Sequence, residues 1–145
     1  MTTIPANTPI TRDLTPEQVA DAIDQAARLI ETDGLEIGGY WADALLRPYE
    51  PGMSCCTAGA LAVATGYRDV ADVEIEFVGI GSYDPDTGVF DDDHPHPVFA
   101  AAMAELGFKE VEALYDWSDT AGDREVVDAL RDAAAKIRAQ AGGAA

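Results

Sequence analysis

The stretch 54-SCCTAGALAVATG-66 decides the fold. From Cys55 to Gly66 no position is charged, and small or aliphatic side chains fill almost all of them. A helix that is apolar on every side has no face to turn towards water, so it belongs in the interior. Ser54 is placed to cap its first turn and Gly66 to end it. The rest of the chain is expected to wrap this central helix.

Upstream, 14-LTPEQVADAIDQAARLIETDG-34 reads as an amphipathic helix. Thr15 is its N-cap, Pro16 suits the first helical position, and Gln18 completes a capping box. Leu14 is set to staple onto Val19. Val19, Ile23, Ala26 and Ile30 share one face at helical spacing, and Gly34 is the stop. Between the two helices, Tyr40, Trp41, Ala44 and Leu45 form a short helix before Pro48, followed by a turn at Tyr49-Glu50-Pro51-Gly52.

Downstream, 73-VEIEFVGI-80 alternates Val73, Ile75 and Phe77 with Glu74 and Glu76, which is strand periodicity. Asp86-Thr87-Gly88 is turn chemistry ahead of Val89-Phe90, so a hairpin is expected that packs on helices, because an isolated one is marginal. A further helix runs from Pro97 to Leu106, with Val98, Phe99, Ala102, Met103 and Leu106 inward and Gly107 as its C-terminal cap. Thr120 is the candidate cap of a last helix whose core stripe is Val127, Leu130, Ala134 and Ile137. Acids fill its first turns, while Arg131, Lys136 and Arg138 lie towards its end, an order that complements the helix dipole. The expected architecture is mainly α: a compact domain of four to five helices with one small β-hairpin. Residues 1–13 form a flexible arm, 14–139 the globular domain and 140–145 a frayed end.

The chain has 145 residues, with 27 acidic against 9 basic side chains and a formal net charge of −18. Hydrophobic residues make up 48% of it, which sets it apart from acidic disordered tails. No apolar run approaches the roughly 20 residues that cross a bilayer, and the start MTTIPANTPITRD lacks the layout of a secretion signal. A soluble cytoplasmic protein is expected. Phosphate contacts need Lys and Arg, and the basic residues here are scattered, so direct nucleic acid or membrane binding is not expected. The negative charge is concentrated in two segments, −8 over 68–93 and −6 over 110–128. If they meet in the fold, they make an acidic face able to steer a basic partner.

Cys55 and Cys56 are the only cysteines. Adjacent Cα atoms lie about 3.8 Å apart, below the span of a relaxed disulfide, so no intrachain bridge is expected. At the start of a helix a thiol is shifted towards thiolate. With His94 or His96 as base, and Asp116 or Asp119 to orient it, either cysteine is a candidate nucleophile. The competing reading is that both thiols are small core fillers. In 91-DDDHPHP-97, the residues Asp93, His94 and His96 are candidate metal ligands, although their spacing matches no defined site. The opening of a calcium loop at Asp84 fails at its twelfth position, which is Pro95. In Tyr115-Asp116-Trp117-Ser118-Asp119, aromatic and acidic residues alternate, a pattern suited to gripping Lys or Arg by cation–π contact.

Three pieces together carry a family resemblance: 19-VADAIDQAARLI, 55-CCTAGALAVATG and 117-WSDTAGDREVVDALRDAAAKI. The sequence resembles a small uncharacterised family of actinobacterial and actinophage proteins, with a cysteine-led Ala/Leu helix and a Trp-Asn-Asp motif before a C-terminal helix. Ser118 stands where that motif has Asn, and 73–93 is longer and more acidic than the pattern. The resemblance implies no activity. The function expected from the residues is a non-enzymatic acidic module that docks on a basic protein surface and uses no cofactor. Asp84, Asp86, Asp91, Asp92, Asp93, Tyr115, Asp116, Trp117 and Asp119 would make the contact. Such a surface could be one that normally holds nucleic acid, making the protein an inhibitor that mimics its charge. The alternative is a cysteine-dependent hydrolase or transferase using Cys55 or Cys56 with His94 or His96.

Overall fold

The computed structural model describes residues 13–79, 82–84, 89–91 and 95–143. Helix α1 (Pro16–Asp33) begins as its capping box dictates. The Gln18 amide donates to Thr15 Oγ1 at 3.2 Å, and the Thr15 amide donates to Gln18 Oε1 at 2.8 Å. Gly34, at φ +92°, ends the helix with its amide donating to the Ile30 carbonyl. The inward stripe of Val19, Ile23, Ala26 and Ile30 is buried as the periodicity requires.

Helix α2 (Thr57–Ala64) is the buried centre, with Thr57 through Val63 inaccessible. It starts later than the sequence suggests. Cys56 is its N-cap, with the Gly59 amide donating to Sγ at 3.3 Å, and Ser54 does not cap it. The Ser54 hydroxyl donates instead to Glu36 Oε1 at 2.6 Å. The cause lies in the backbone. The Glu36 amide donates to the Cys55 carbonyl, the Ala42 amide to the Ser54 carbonyl, and the Cys56 amide to the Tyr40 carbonyl. Residues 54–56 are therefore held extended against 35–42, and helical geometry begins only beyond them. The same pairing removes the short helix expected around Tyr40 to Leu45. That segment is a series of turns in which Trp41 is buried, its indole N–H donating to the Arg47 carbonyl at 3.1 Å.

Residues 73–78 are helical where strand periodicity was expected. Asp69 caps a short helix, α3 (Val70–Asp72), by accepting from the Ala71 amide, and α3 runs on as π-helix over Val73–Val78 to left-handed Gly79. The strand is not formed, and the hairpin expected from it is not there. Val73, Phe77 and Val78 face inward while Glu74, Ile75 and Glu76 are exposed. Phe77 packs edge-on to Tyr67 and Phe99. Burying that ring outweighs the period-two pattern of the neighbouring residues. The pair that exists is shorter and further on: β1 (Ser82–Asp84) runs antiparallel to β2 (Val89–Asp91), with Tyr83 opposite Phe90.

Helix α4 (Pro97–Leu106) ends at left-handed Gly107, as expected. Helix α5 (Val111–Ala121) was not anticipated, and it absorbs Thr120, which is no cap. The Thr120 hydroxyl donates to the Asp116 carbonyl one turn back. Helix α6 (Asp123–Gly143) follows after Gly122 and continues past residue 139. It lies along α1, to which it makes its most extensive contact, and α2 is enclosed by α1, α4 and α5. Arg138 reaches Glu17, Asp21 and Asp24 on α1, and Arg131 makes a two-pronged contact with Glu31. Among the described residues six α-helices make the fold mainly α, and none is long and apolar enough to cross a membrane.

Candidate functional site

Tyr40 leaves the extended segment just where its carbonyl is bonded to Cys56, and α5 presents Tyr115 towards it. The two phenol oxygens are 2.8 Å apart, and the rings meet edge to face with centroids at 6.1 Å. Around this pair lies a cleft of about 300 Å³. Its walls come from the 38–45 turns, the Cys56 cap, Val70 and Glu74 of the α3 and π segment, and Ser118 and Asp119 of α5. Close approach of α2 to the Tyr40 backbone is what closes the floor. A Cβ on Gly59 would sit 1.8 Å from the Tyr40 carbonyl oxygen, so only glycine fits.

Polar groups hold the frame together. The Thr57 amide and hydroxyl both donate to Ser118 Oγ, at 3.0 and 2.8 Å, and both residues are buried. Asp119 Oδ1 accepts from the Gly38 amide at 3.2 Å, tying α5 to the turn that forms the opposite wall. Burial raises the pKa of both tyrosines, that of Tyr40 strongly and that of Tyr115 to about 12. Tyr115 also gains a partly opposing stabilisation of its charged form from the Tyr40 hydrogen bond. Both are neutral phenols at physiological pH. The cleft thus offers two phenols and the carboxylates of Glu74 and Asp119, and no cation lines it among the described residues. Leu45, 91% exposed, stands at its edge; Leu46 and Ile37 are exposed in the neighbouring 36–47 segment, and Ile75 on the π segment.

The residues singled out in the sequence fare unevenly. Cys55 and Cys56 are buried, and burial pushes both thiols up, Cys56 to about 11 despite the lowering by the helix-start amides of Gly59 and Ala58. Desolvation of the charged form outweighs the helix terminus here. Cys56 borders the cleft, but its sulfur is occupied as a cap. His96 is fully buried at the N-cap of α4, with Nδ1 accepting from the Val98 amide at 3.1 Å and its ring against Tyr67 and Phe77. That nitrogen is spent on the helix start. Asp86, Asp92, Asp93 and His94 lie outside the described residues, and Asp84 and Asp91 are placed only as backbone partners in β1 and β2.

The Trp117-Ser118-Asp119 run divides its labour. Trp117 leans on Phe108 and its indole N–H donates to Glu125, Ser118 faces the core, and Asp119 faces the cleft. Asp116 is exposed on α5 and does not line the cleft itself. Of the residues that line the cleft, Tyr115 and Asp119 were among the partner-binding candidates, and Tyr40, Glu74 and Ser118 were not. Glu74 was hidden by the strand assignment, while Ser118 could have been found as a polar residue four positions after Leu114 on the inward face of a helix.

A family model spanning residues 14–136 matches the chain, taking in the core of the fold and both halves of the cleft. The chain belongs to DUF6197, a family of unknown function. The match runs from the capping box of α1 through most of α6, including the Cys56 cap and the Trp117-Ser118-Asp119 run. No curated protein and no solved structure matches it.

Proposed function

We propose that the protein is a non-enzymatic binding module that docks on a basic protein surface, through the face formed by residues 36–47, the α3 and π segment, and α5. One observation carries this reading: residues 36–47, 70–78 and 111–121 hold eight acidic side chains against one basic one, Arg47, while the four cations of α6 are spent elsewhere. Arg124, Arg131, Lys136 and Arg138 all make their ion pairs within α6 or with α1. Around the cleft, Glu74, Glu112 and Asp116 are exposed and form no salt bridge among the described residues. Charge separated in this way steers a cationic partner to one side of the molecule. A partner surface that normally holds nucleic acid fits the same pattern. The cysteine-based alternative has no comparable support, since both thiols are buried and the Nδ1 of His96 is occupied.

The test is titration of a labelled peptide of alternating Arg and Leu, followed by fluorescence anisotropy at several salt concentrations. Neutralising Glu74, Glu112, Asp116 and Asp119 together is expected to weaken binding at least tenfold and flatten its salt dependence. A variant with four carboxylates neutralised at Glu17, Asp21, Asp128 and Asp132 has the same net charge and is expected to bind within about twofold of wild type. Equal losses in the two variants would mean non-specific attraction and would overturn the reading.

A further inference from the structure

We propose that the cleft between Tyr40 and Tyr115 is the anchor pocket of the docking face and takes a single arginine side chain from the basic partner. The inference rests on the docking reading above and names what that face recognises. At about 300 Å³ the cleft is at the small end of ligand pockets, which run from about 300 to 1,000 Å³. It suits one long side chain better than a bulky ligand. Its charged groups, Glu74 and Asp119, are both anionic, and its two phenols are neutral acceptors and donors. One Asp119 oxygen, Oδ1, is held by the Gly38 amide, which fixes the carboxylate beside the cleft it lines.

A guanidinium matches this set in three ways. It is planar, permanently charged and carries five donors in a fork, against three on an ammonium. Carboxylates on separate elements and two phenol oxygens give that fork acceptors in several directions. The tyrosine rings, set at 76° to one another, offer a face on which the guanidinium plane can stack. The aliphatic stem would lie along Val70 and Leu45, covering a leucine that otherwise stands in water. An apolar residue beside the arginine in the partner would cover Leu46.

The experiment uses the intact protein and three 12-residue peptides that differ only at one central position: arginine, its neutral isostere citrulline, or lysine. Binding is measured by calorimetry. The arginine peptide is expected to bind at least tenfold more tightly than the citrulline peptide, with lysine between them. Glu74→Gln is expected to cost the arginine peptide about tenfold, or about 1.4 kcal/mol, and to leave the citrulline peptide unchanged. Asp119→Asn keeps an acceptor for the Gly38 amide and is expected to act in the same direction, so one failed fold does not remove the test. Asp128→Asn, on the outer face of α6, removes the same charge and is expected to change affinity less than twofold. Arginine and citrulline peptides binding equally, or Glu74→Gln and Asp128→Asn acting equally, would overturn the anchor pocket and leave the docking face standing. Absence of any salt-sensitive binding to wild type would overturn both.

Discussion

Replacing Gly59 with alanine tests how the fold builds its cleft, because helix propensity and packing predict opposite signs. In a helix interior alanine is favoured over glycine by about 1 kcal/mol. Gly59 is inside α2, so on local grounds the change should stabilise. The new Cβ would meet the Tyr40 carbonyl oxygen at 1.8 Å and its carbon at 2.6 Å, whereas real contacts of this kind stay beyond 3.0 Å. The Tyr40 backbone must therefore retreat by more than 1 Å. That movement stretches the 3.0 Å bond from the Cys56 amide and parts Tyr40 from Tyr115. Overpacking of this order costs about 1–3 kcal/mol, and a broken buried hydrogen bond about 1–2 kcal/mol more. After the gain from helix propensity the net expectation is a loss of about 1–4 kcal/mol. The melting midpoint would fall by about 2–4 °C for each of these at this chain length. Urea unfolding followed by circular dichroism reads it, with Gly39→Ala as the control, since a Cβ there meets nothing closer than 3.5 Å. A Gly59→Ala protein as stable as wild type, or more so, would refute the argument that the 40–42 segment is clamped onto α2.

Ser118→Ala leaves the Thr57 amide and hydroxyl without their buried acceptor, and about 2–3 kcal/mol of stability is expected to go with it; Ser118→Cys, which keeps a weak acceptor, should lose less in the same urea titration. Native-state alkylation followed by peptide mass spectrometry is expected to label Cys55 and Cys56 only as fast as the protein unfolds at pH 7, and early labelling of either would contradict their burial. Because burial raises the Cys56 pKa, its contribution is complete below pH 9 and is lost as pH rises towards about 11, so stability should decline over that window. Arg131 holds the Glu31 carboxyl below its ordinary value of 4.5. That pair contributes above the ordinary carboxylate pKa and is lost as pH falls through the lowered one, so the urea midpoints of wild type and Arg131→Gln should differ at pH 7 and converge near pH 2.

How much was legible from sequence depends on whether a signal was local. The start of α1 and the end of α4 could be read because a capping box and a C-terminal glycine act within four residues of themselves. The start of α2 could not. Ser54 is a better intrinsic cap than Cys56, but the extended pairing of 54–56 with residues 35–42 overrides that preference, and the pairing spans turns that no short window reveals. The segment 73–78 misled for a related reason. Its glutamates alternate with apolar residues, yet Val73, Phe77 and Val78 also share a helical face, and burial of Phe77 against Tyr67 and Phe99 selects the helix. Helix α5 was missed because an inward serine interrupts its apolar stripe. Of the cleft, the α5 half was visible as alternating aromatic and acidic residues, while the Tyr40 half depends on a long-range bond.

The alignment of α1 with α6 also bears on how the chain must be made. The guanidinium that grips Glu31 comes from Arg131, 100 residues later in synthesis. Translation at about 5–20 residues per second leaves the first helix without its principal neighbour for several seconds or more after it emerges from the ribosome. During that interval Val19, Ile23, Ala26 and Ile30 have no α6 to cover them. A nascent chain stalled before α6 is expected to present this stripe to chaperones, and to release them only when the last helix arrives.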